Sequence, residues 1–229
     1  MNDKRTTVRS LPSSTFATRS KTPKPTTVLL VRHGATPTTG RVLPGRARGL
    51  HLSEEGRAQA AAVARALSES RRKVAAVYAS PLERARETAE PIAAALSRRV
   101  EIHRGLLECD FGEWTGAELK KLMKLPEWLT VQRWPSGFRF PGGESFKAMQ
   151  ARIVAAMADL RSRHPGETVV AVSHADPIKA AVADAIGSHL DLFQRILVSP
   201  ASVTAIAYGP LGPTVLAVNV TRLAELSAP

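Results

Sequence analysis

The chain has 229 residues, 44% of them hydrophobic, and a formal charge of +12. That length allows one large domain or two small ones, and the composition is that of a soluble globular protein. No apolar run nears the roughly 18–20 residues of a membrane-spanning helix, no apolar secretory core opens the chain, and a single cysteine, Cys109, excludes an internal disulfide or a cysteine-rich metal site.

A cytoplasmic protein is therefore expected. Residues 1–27 carry six basic side chains against Asp3 alone, so +5 of the charge sits there. Elsewhere basic residues alternate with acids along helical patterns. No basic block is interleaved with aromatics, so nucleic acid is not an expected partner. Residues 1–26 are rich in Ser, Thr, Pro and Arg and read as a disordered basic extension. An acid-poor start of this kind also fits an organelle transit peptide.

The run Val28-Leu29-Leu30-Val31 enters Arg32-His33-Gly34 and reads as a buried strand that stops at Gly34. Arg32 and His33 then stand at its carboxyl end, where open α/β sheets bind ligands, and a cation beside an imidazole suits an anion. The loop from Pro37 to His51 holds Gly40, Gly45 and Gly49 with Arg41, Arg46 and Arg48, which either face a polyanion or are solvated. Ser53 is an N-cap for an Ala-rich helix reaching about Arg72, with Glu54 and Glu55 suited to its first turn. Ala58, Ala61, Ala62 and Leu67 form its expected packing face.

Val74 to Ala79 is a second strand. It ends in Ser80-Pro81-Leu82-Glu83, which reads as N-cap, N1 proline and capping-box glutamate. Arg84 falls in the first turn of this helix, again at a strand's carboxyl end, with Arg86 and Thr88 on other faces. A short strand is expected over Val100–His103. The following loop carries Glu108, Asp110 and Glu113, more carboxylates than a turn needs, and one of them is a candidate general acid. From about 113 to 142 the chain holds Trp114, Trp128, Trp134, Phe138 and Phe140 among prolines and basic residues. This segment reads as an excursion off the sheet, large enough to cover a site. A long helix follows Ser145, then a strong strand over Thr168–Val172 that stops at Ser173-His174-Ala175-Asp176-Pro177. Asp176 and Pro177 read as N-cap and N1. Two final β segments, Ala201–Tyr208 and Thr214–Val220, complete an α/β chain.

Of six histidines, only His33 and His174 follow apolar strands. His164 closes a helix, and His51, His103 and His189 read as structural.

Together, Leu30-Val31-Arg32-His33-Gly34-x-Thr36, Ser80-Pro81-x-x-Arg84-Ala85-x-x-Thr88, Glu108-x-x-Phe111-Gly112-x-Trp114-x-Gly116, Gly143-Glu144-Ser145 and Val172-Ser173-His174 resemble the histidine phosphatase superfamily, the phosphoglycerate-mutase-like fold. The resemblance covers residues 27–229 as one domain. It implies a three-layer α/β/α sandwich with a mostly parallel sheet. It implies further that His33 is the nucleophile, that Arg32, Arg84 and His174 hold the phosphoryl oxygens, and that Glu108 is the proton donor. Family members carry Asn where this chain has Thr39, which leaves Thr39 as the phosphate-side residue there. No metal and no cofactor are implied. An acid stands at Asp176 where many members have glycine, and it either repels very anionic substrates or caps the helix.

Mutases of the family read Glu-Arg-His-Tyr-Gly where this chain reads Glu108-Cys109-Asp110-Phe111-Gly112. The missing arginine favours the phosphatase branch and a small phosphorylated substrate. A cofactor-dependent phosphoglycerate mutase, or a silent phospho-ligand-binding module, is the alternative. Oligomeric state is open, a homodimer being one option.

Overall fold

The computed structural model describes residues 23–221 except residue 71; the basic extension expected over 1–26 falls almost wholly outside the described residues. Six strands form one sheet: β1 (Thr26–Arg32), β2 (Val74–Ala79), β3 (Val100–Ile102), β4 (Thr168–Ser173), β5 (Val203–Gly209) and β6 (Gly212–Val220), in the order β3-β2-β4-β1-β5-β6. β1 with β4, β2 with β4 and β2 with β3 are parallel, whereas β5 is antiparallel to both β1 and β6.

The central strands β1, β2 and β4 are largely apolar and buried because both faces of the sheet are covered there. Leu29, Val31, Val77, Val170 and Val172 face one core, against α1 (Glu54–Glu69) and α2 (Glu83–Ala95). Val28, Leu30, Tyr78, Val169 and Ala171 face the other, against α5 (Phe146–Arg163) and α6 (Ala175–Ala185). This is the three-layer α/β/α sandwich.

The face of α1 differs from expectation. Gly56, Ala60, Val63, Ala64 and Leu67 are buried, while Ala58, Ala61 and Ala62 are exposed, and the helix ends at Glu69. Alanine occurs on every side of this helix, so only Val63 and Leu67 mark the buried stripe. Gly56 has a steric role: a Cβ there would meet the Ala35 carbonyl oxygen at 2.0 Å, and one at Gly34 would meet the Gly56 oxygen at 2.4 Å. The start of α1 therefore lies backbone to backbone against the loop leaving β1.

Residues 113–142 form two short helices, α3 (Leu119–Leu122) and α4 (Pro126–Arg133), and a 3₁₀ turn over Pro135–Gly137. Trp114, Phe138 and Phe140 anchor the segment through edge and tilted ring contacts that continue to Phe146 and Phe193. Trp134 is instead 60% exposed. Among the described residues no helix is long and apolar enough to cross a membrane.

Candidate active site

Strand register brings the polar strand ends together. Arg32 pairs with Ser173 and Ala79 with Val172, so the residues that follow β1, β2 and β4 emerge side by side. The His33 N–H donates to Ser173 O (3.0 Å) and the Ser80 N–H to Val172 O (2.9 Å), extending the ladder past the strands.

His33 is buried, and its Nδ1 lies 2.8 Å from the Gly34 carbonyl. A carbonyl only accepts, so Nδ1 carries the hydrogen and Nε2 keeps its lone pair. The Arg84 Nε–H donates to that Nε2 (3.2 Å), and Arg84 Nη2 donates to Gly45 O (2.7 Å). Burial, then Arg84, then Arg32 push the His33 pKa well below its ordinary value, so the ring is neutral. His174 is lowered likewise, by burial first and then Arg84 and His33. The two imidazoles meet edge to face, with centroids 5.1 Å apart.

The first turn of α2 differs from its sequence reading. The helix begins at Glu83 with no side-chain cap; the Ser80 hydroxyl accepts from the Leu82 N–H at 3.5 Å and lies 2.8 Å from His174 Nε2. Leu82 rather than Ser80 stands at the cap position. Thr88 also lies closer than expected. One turn beyond Arg84, its hydroxyl accepts from the Gly34 N–H (3.0 Å) and donates to Arg84 O (2.7 Å), joining the loop after β1 to the arginine's own helix. Its i+4 spacing from Arg84 was the available signal.

Three buried nitrogens here, Arg32 Nε, Arg84 Nη1 and His174 Nδ1, make no hydrogen bond with the described residues. Arg32 Nη1 is held by Val198 O (2.7 Å). Two guanidinium groups thus keep unmatched donors in the site, Arg84 directly beside the His33 lone pair and Arg32 on the wall of the same pocket. Such an arrangement fits a multiply charged oxyanion.

Glu108 is 7% exposed, and its Oε1 accepts from the Cys109 N–H (2.8 Å). Burial foremost, and Asp176 after it, raise its pKa to about 7, against the pull of Arg84 and Arg32. Near neutrality a substantial fraction of this carboxyl is therefore protonated, the state in which a carboxyl can give a proton. A network unseen in the sequence fixes its loop. Arg152 donates to the Gly105, Leu107 and Glu108 carbonyls at 2.9, 2.8 and 3.2 Å and to both Glu144 oxygens. Arg46, expected to be solvated or to face a polyanion, donates to Glu108 O (2.9 Å) and pairs with Glu144 (3.0 Å). Arg41 and Arg48 are exposed. Gly112, at φ +52°, lets the acid loop lie on the 141–143 backbone, where a Cβ would sit 2.0 Å from Pro141 O.

Thr39 stands on the pocket wall, its Oγ1 accepting from the Thr36 N–H (2.8 Å). The pocket, of about 250 Å³, has Arg32, His33, Glu108 and Thr36 among its lining residues. Val42, Leu43, Pro44, Phe111 and Leu119 form its apolar side, so Leu119 is what the 113–142 segment contributes. Asp176 and Lys179 complete the wall. Asp176 is the second residue of α6, whose cap position is His174, so the expected Asp176–Pro177 start is displaced by two residues. The remaining histidines are tied elsewhere: His51 to Glu87, His103 to Asp159, His164 to Tyr78 and Glu167, and His189 to Asp191.

Residues 28–221 match the model of the histidine phosphatase superfamily (branch 1). Phosphoserine phosphatase 1 of Hydrogenobacter thermophilus is 34% identical over 184 residues, which cover 77% of this chain and 85% of that protein. A metal-independent phosphoserine phosphatase of Arabidopsis thaliana is 34% identical over 163 residues, 68% of this chain and 66% of that one. A phosphoserine phosphatase variant from Entamoeba histolytica, solved in complex with phosphoserine, has the same fold at TM-score 0.78 and 24% identity, covering 86% of this chain and 98% of the other. The chain belongs to branch 1 of the histidine phosphatase superfamily and is a phosphatase of that family.

Proposed function

We propose that the protein is a metal-independent phosphomonoesterase that hydrolyses a small phosphorylated metabolite through a phosphohistidine on His33. The observation that carries this reading is the His33 Nε2 lone pair, set beside Arg84 and ringed by unmatched buried donors on Arg32, Arg84 and His174.

In the first half-reaction Nε2 attacks phosphorus, and the P–O ester bond breaks. The departing oxygen takes the proton of Glu108 and leaves as the alcohol. The His33 Nδ1–H stays on the Gly34 carbonyl and stabilises the ring as it gains positive charge. In the second, water attacks phosphorus, Glu108 takes its proton, and His33 returns neutral with release of phosphate. Arg32 and Arg84 stabilise the charge spread over the equatorial oxygens, the task a metal performs in other phosphoryl-transfer sites. His174 donates to the same oxygens. The Ser80 hydroxyl, donating to Nε2, sets the tautomer that places a hydrogen on Nδ1. Thr39 lends its hydroxyl on the phosphate side of the pocket.

Hydrolysis rather than mutase chemistry is supported at position 109. Cys109 is fully buried in the apolar core, so no cation stands there to meet a substrate carboxylate. The modest cavity suits a small ester, and the relatives' names support an O-phospho compound. The lone, buried Cys109 fits a reducing cytoplasm.

The test is turnover of an aryl phosphate in the presence of a chelator, comparing wild type with His33→Ala. The expected result is undiminished wild-type turnover and none for the variant. Equal turnover by both overturns the nucleophile, and loss of wild-type activity on chelation overturns metal independence. Robust phosphoglycerate isomerisation primed by bisphosphoglycerate would overturn the choice of hydrolysis.

A further inference from the structure

The cations of the phosphate site account for only part of the pocket's lining; the remaining residues have a different character. Besides Glu108 and the phosphate-side residues, the pocket is lined by the apolar side chains Val42, Leu43, Pro44 and Leu119 and by Asp176 with Lys179. Apart from Arg32, Lys179 is the cation that lines the pocket, but its ammonium is already engaged. It lies 3.4 Å from Asp176 Oδ1, 3.0 Å from Gln194 Oε1 and 5.9 Å from the centroid of the Phe193 ring. Asp176 gives only Oδ1 to that contact, and its Oδ2 has no hydrogen bond among the described residues. Both side chains are largely covered, 17% exposed for Asp176 and 16% for Lys179, so bulk water screens them incompletely. Asp176 lines the same pocket as Glu108 and Arg32 and acts on both of them electrostatically.

From this wall we propose that Asp176 selects the substrate: the preferred esters are phosphates of alcohols that carry a protonated amine close to the ester oxygen. The inference rests on the phosphatase reading above and gives it a substrate class. A leaving group bearing an ammonium meets a carboxylate oxygen with free lone pairs in a partly desolvated corner. A leaving group bearing only a carboxylate meets Asp176 and finds Lys179 occupied. The charge-assisted contact corresponds to a preference of about ten- to a hundredfold. In this role Asp176 touches the substrate away from the phosphorus and leaves the order of the chemical steps unchanged.

The test compares three esters of similar size: phosphoethanolamine, n-propyl phosphate and phosphoglycolate. The readout is the ratio of kcat/KM for phosphoethanolamine to that for propyl phosphate. Comparing this ratio between wild type and variant cancels the intrinsic reactivity of the esters. Asp176→Asn is expected to lower the ratio by about ten- to a hundredfold, mainly through KM, while improving phosphoglycolate relative to propyl phosphate. Lys179→Met, which releases Oδ1 as well, is expected to raise the ratio. That second variant keeps the inference testable should Asp176→Asn not fold. Turnover of all three esters with a ratio unmoved by either variant overturns the inference and leaves the phosphatase reading standing. Absence of turnover on these esters and on an aryl phosphate overturns the phosphatase reading, and the inference falls with it.

Discussion

Replacing Glu108 with glutamine separates its two consequences for the molecule. The side chain is buried, and its carboxyl ionises near pH 7 in the fold instead of near the ordinary 4.5. Below the lower value both folded and unfolded chains hold the proton, and there is no penalty. Between the two values the unfolded chain ionises and the folded one resists, so stability falls as pH rises. Above 7 the whole penalty is present, about 3 kcal/mol from the difference between the two values. Glutamine keeps the shape and never ionises. Glu108→Gln is therefore expected to match wild type below about pH 4 and to exceed its stability by up to about 3 kcal/mol at about pH 8, as measured by urea unfolding. Activity moves the opposite way. The amide cannot give the proton that an alkoxide needs, so kcat for an alkyl phosphate is expected to fall on the order of 10²–10⁴-fold. p-Nitrophenyl phosphate, whose phenolate leaves unaided, loses much less. A stability difference that does not change with pH, or equal losses on the two esters, would refute the argument.

Two further substitutions probe the anion site. Arg84→Lys exchanges a planar group, with Nε on His33 and Nη2 on Gly45, for one flexible ammonium. Steady-state assays are expected to show kcat reduced by about 10²–10³-fold, and wild-type kcat would contradict the clamp. Ser80→Ala leaves the imidazole of His174 in place but removes the partner of its Nε2. A loss of about 10–100-fold in kcat/KM is expected, with the thermal midpoint little changed, whereas unaltered kinetics would remove Ser80 from the tautomer argument.

Which parts of the molecule were legible in the sequence follows from the range of the interactions. β1, β2 and β4 are uninterrupted apolar runs, and the residues that matter most, Arg32, His33 and His174, directly follow two of them. Their convergence needs only parallel strands in one sheet. The sequence points to a cap at Ser80 because the preceding strand and following proline give a complete local reason for one. The partner that takes its hydroxyl lies 94 residues away. Arg46 and Arg152 carry no local mark either, since each is defined by the Glu108 loop and Glu144. The face of α1 was hidden for another reason: alanine fits both a packed and an exposed helix surface. Asp176 stood out as an acid after the second histidine, but only the position of α6 shows that it lines the pocket instead of capping the helix.

The central claim is a covalent one, and trapping the intermediate tests it most directly. The enzyme is mixed with an aryl phosphate and quenched in alkali, which preserves phosphohistidine, and the peptides are mapped by mass spectrometry. The expected result is one phosphoryl group, on His33, forming at least as fast as turnover and absent from His33→Ala. A phosphoryl group on any other residue, or turnover with no phosphoenzyme at all, would contradict it.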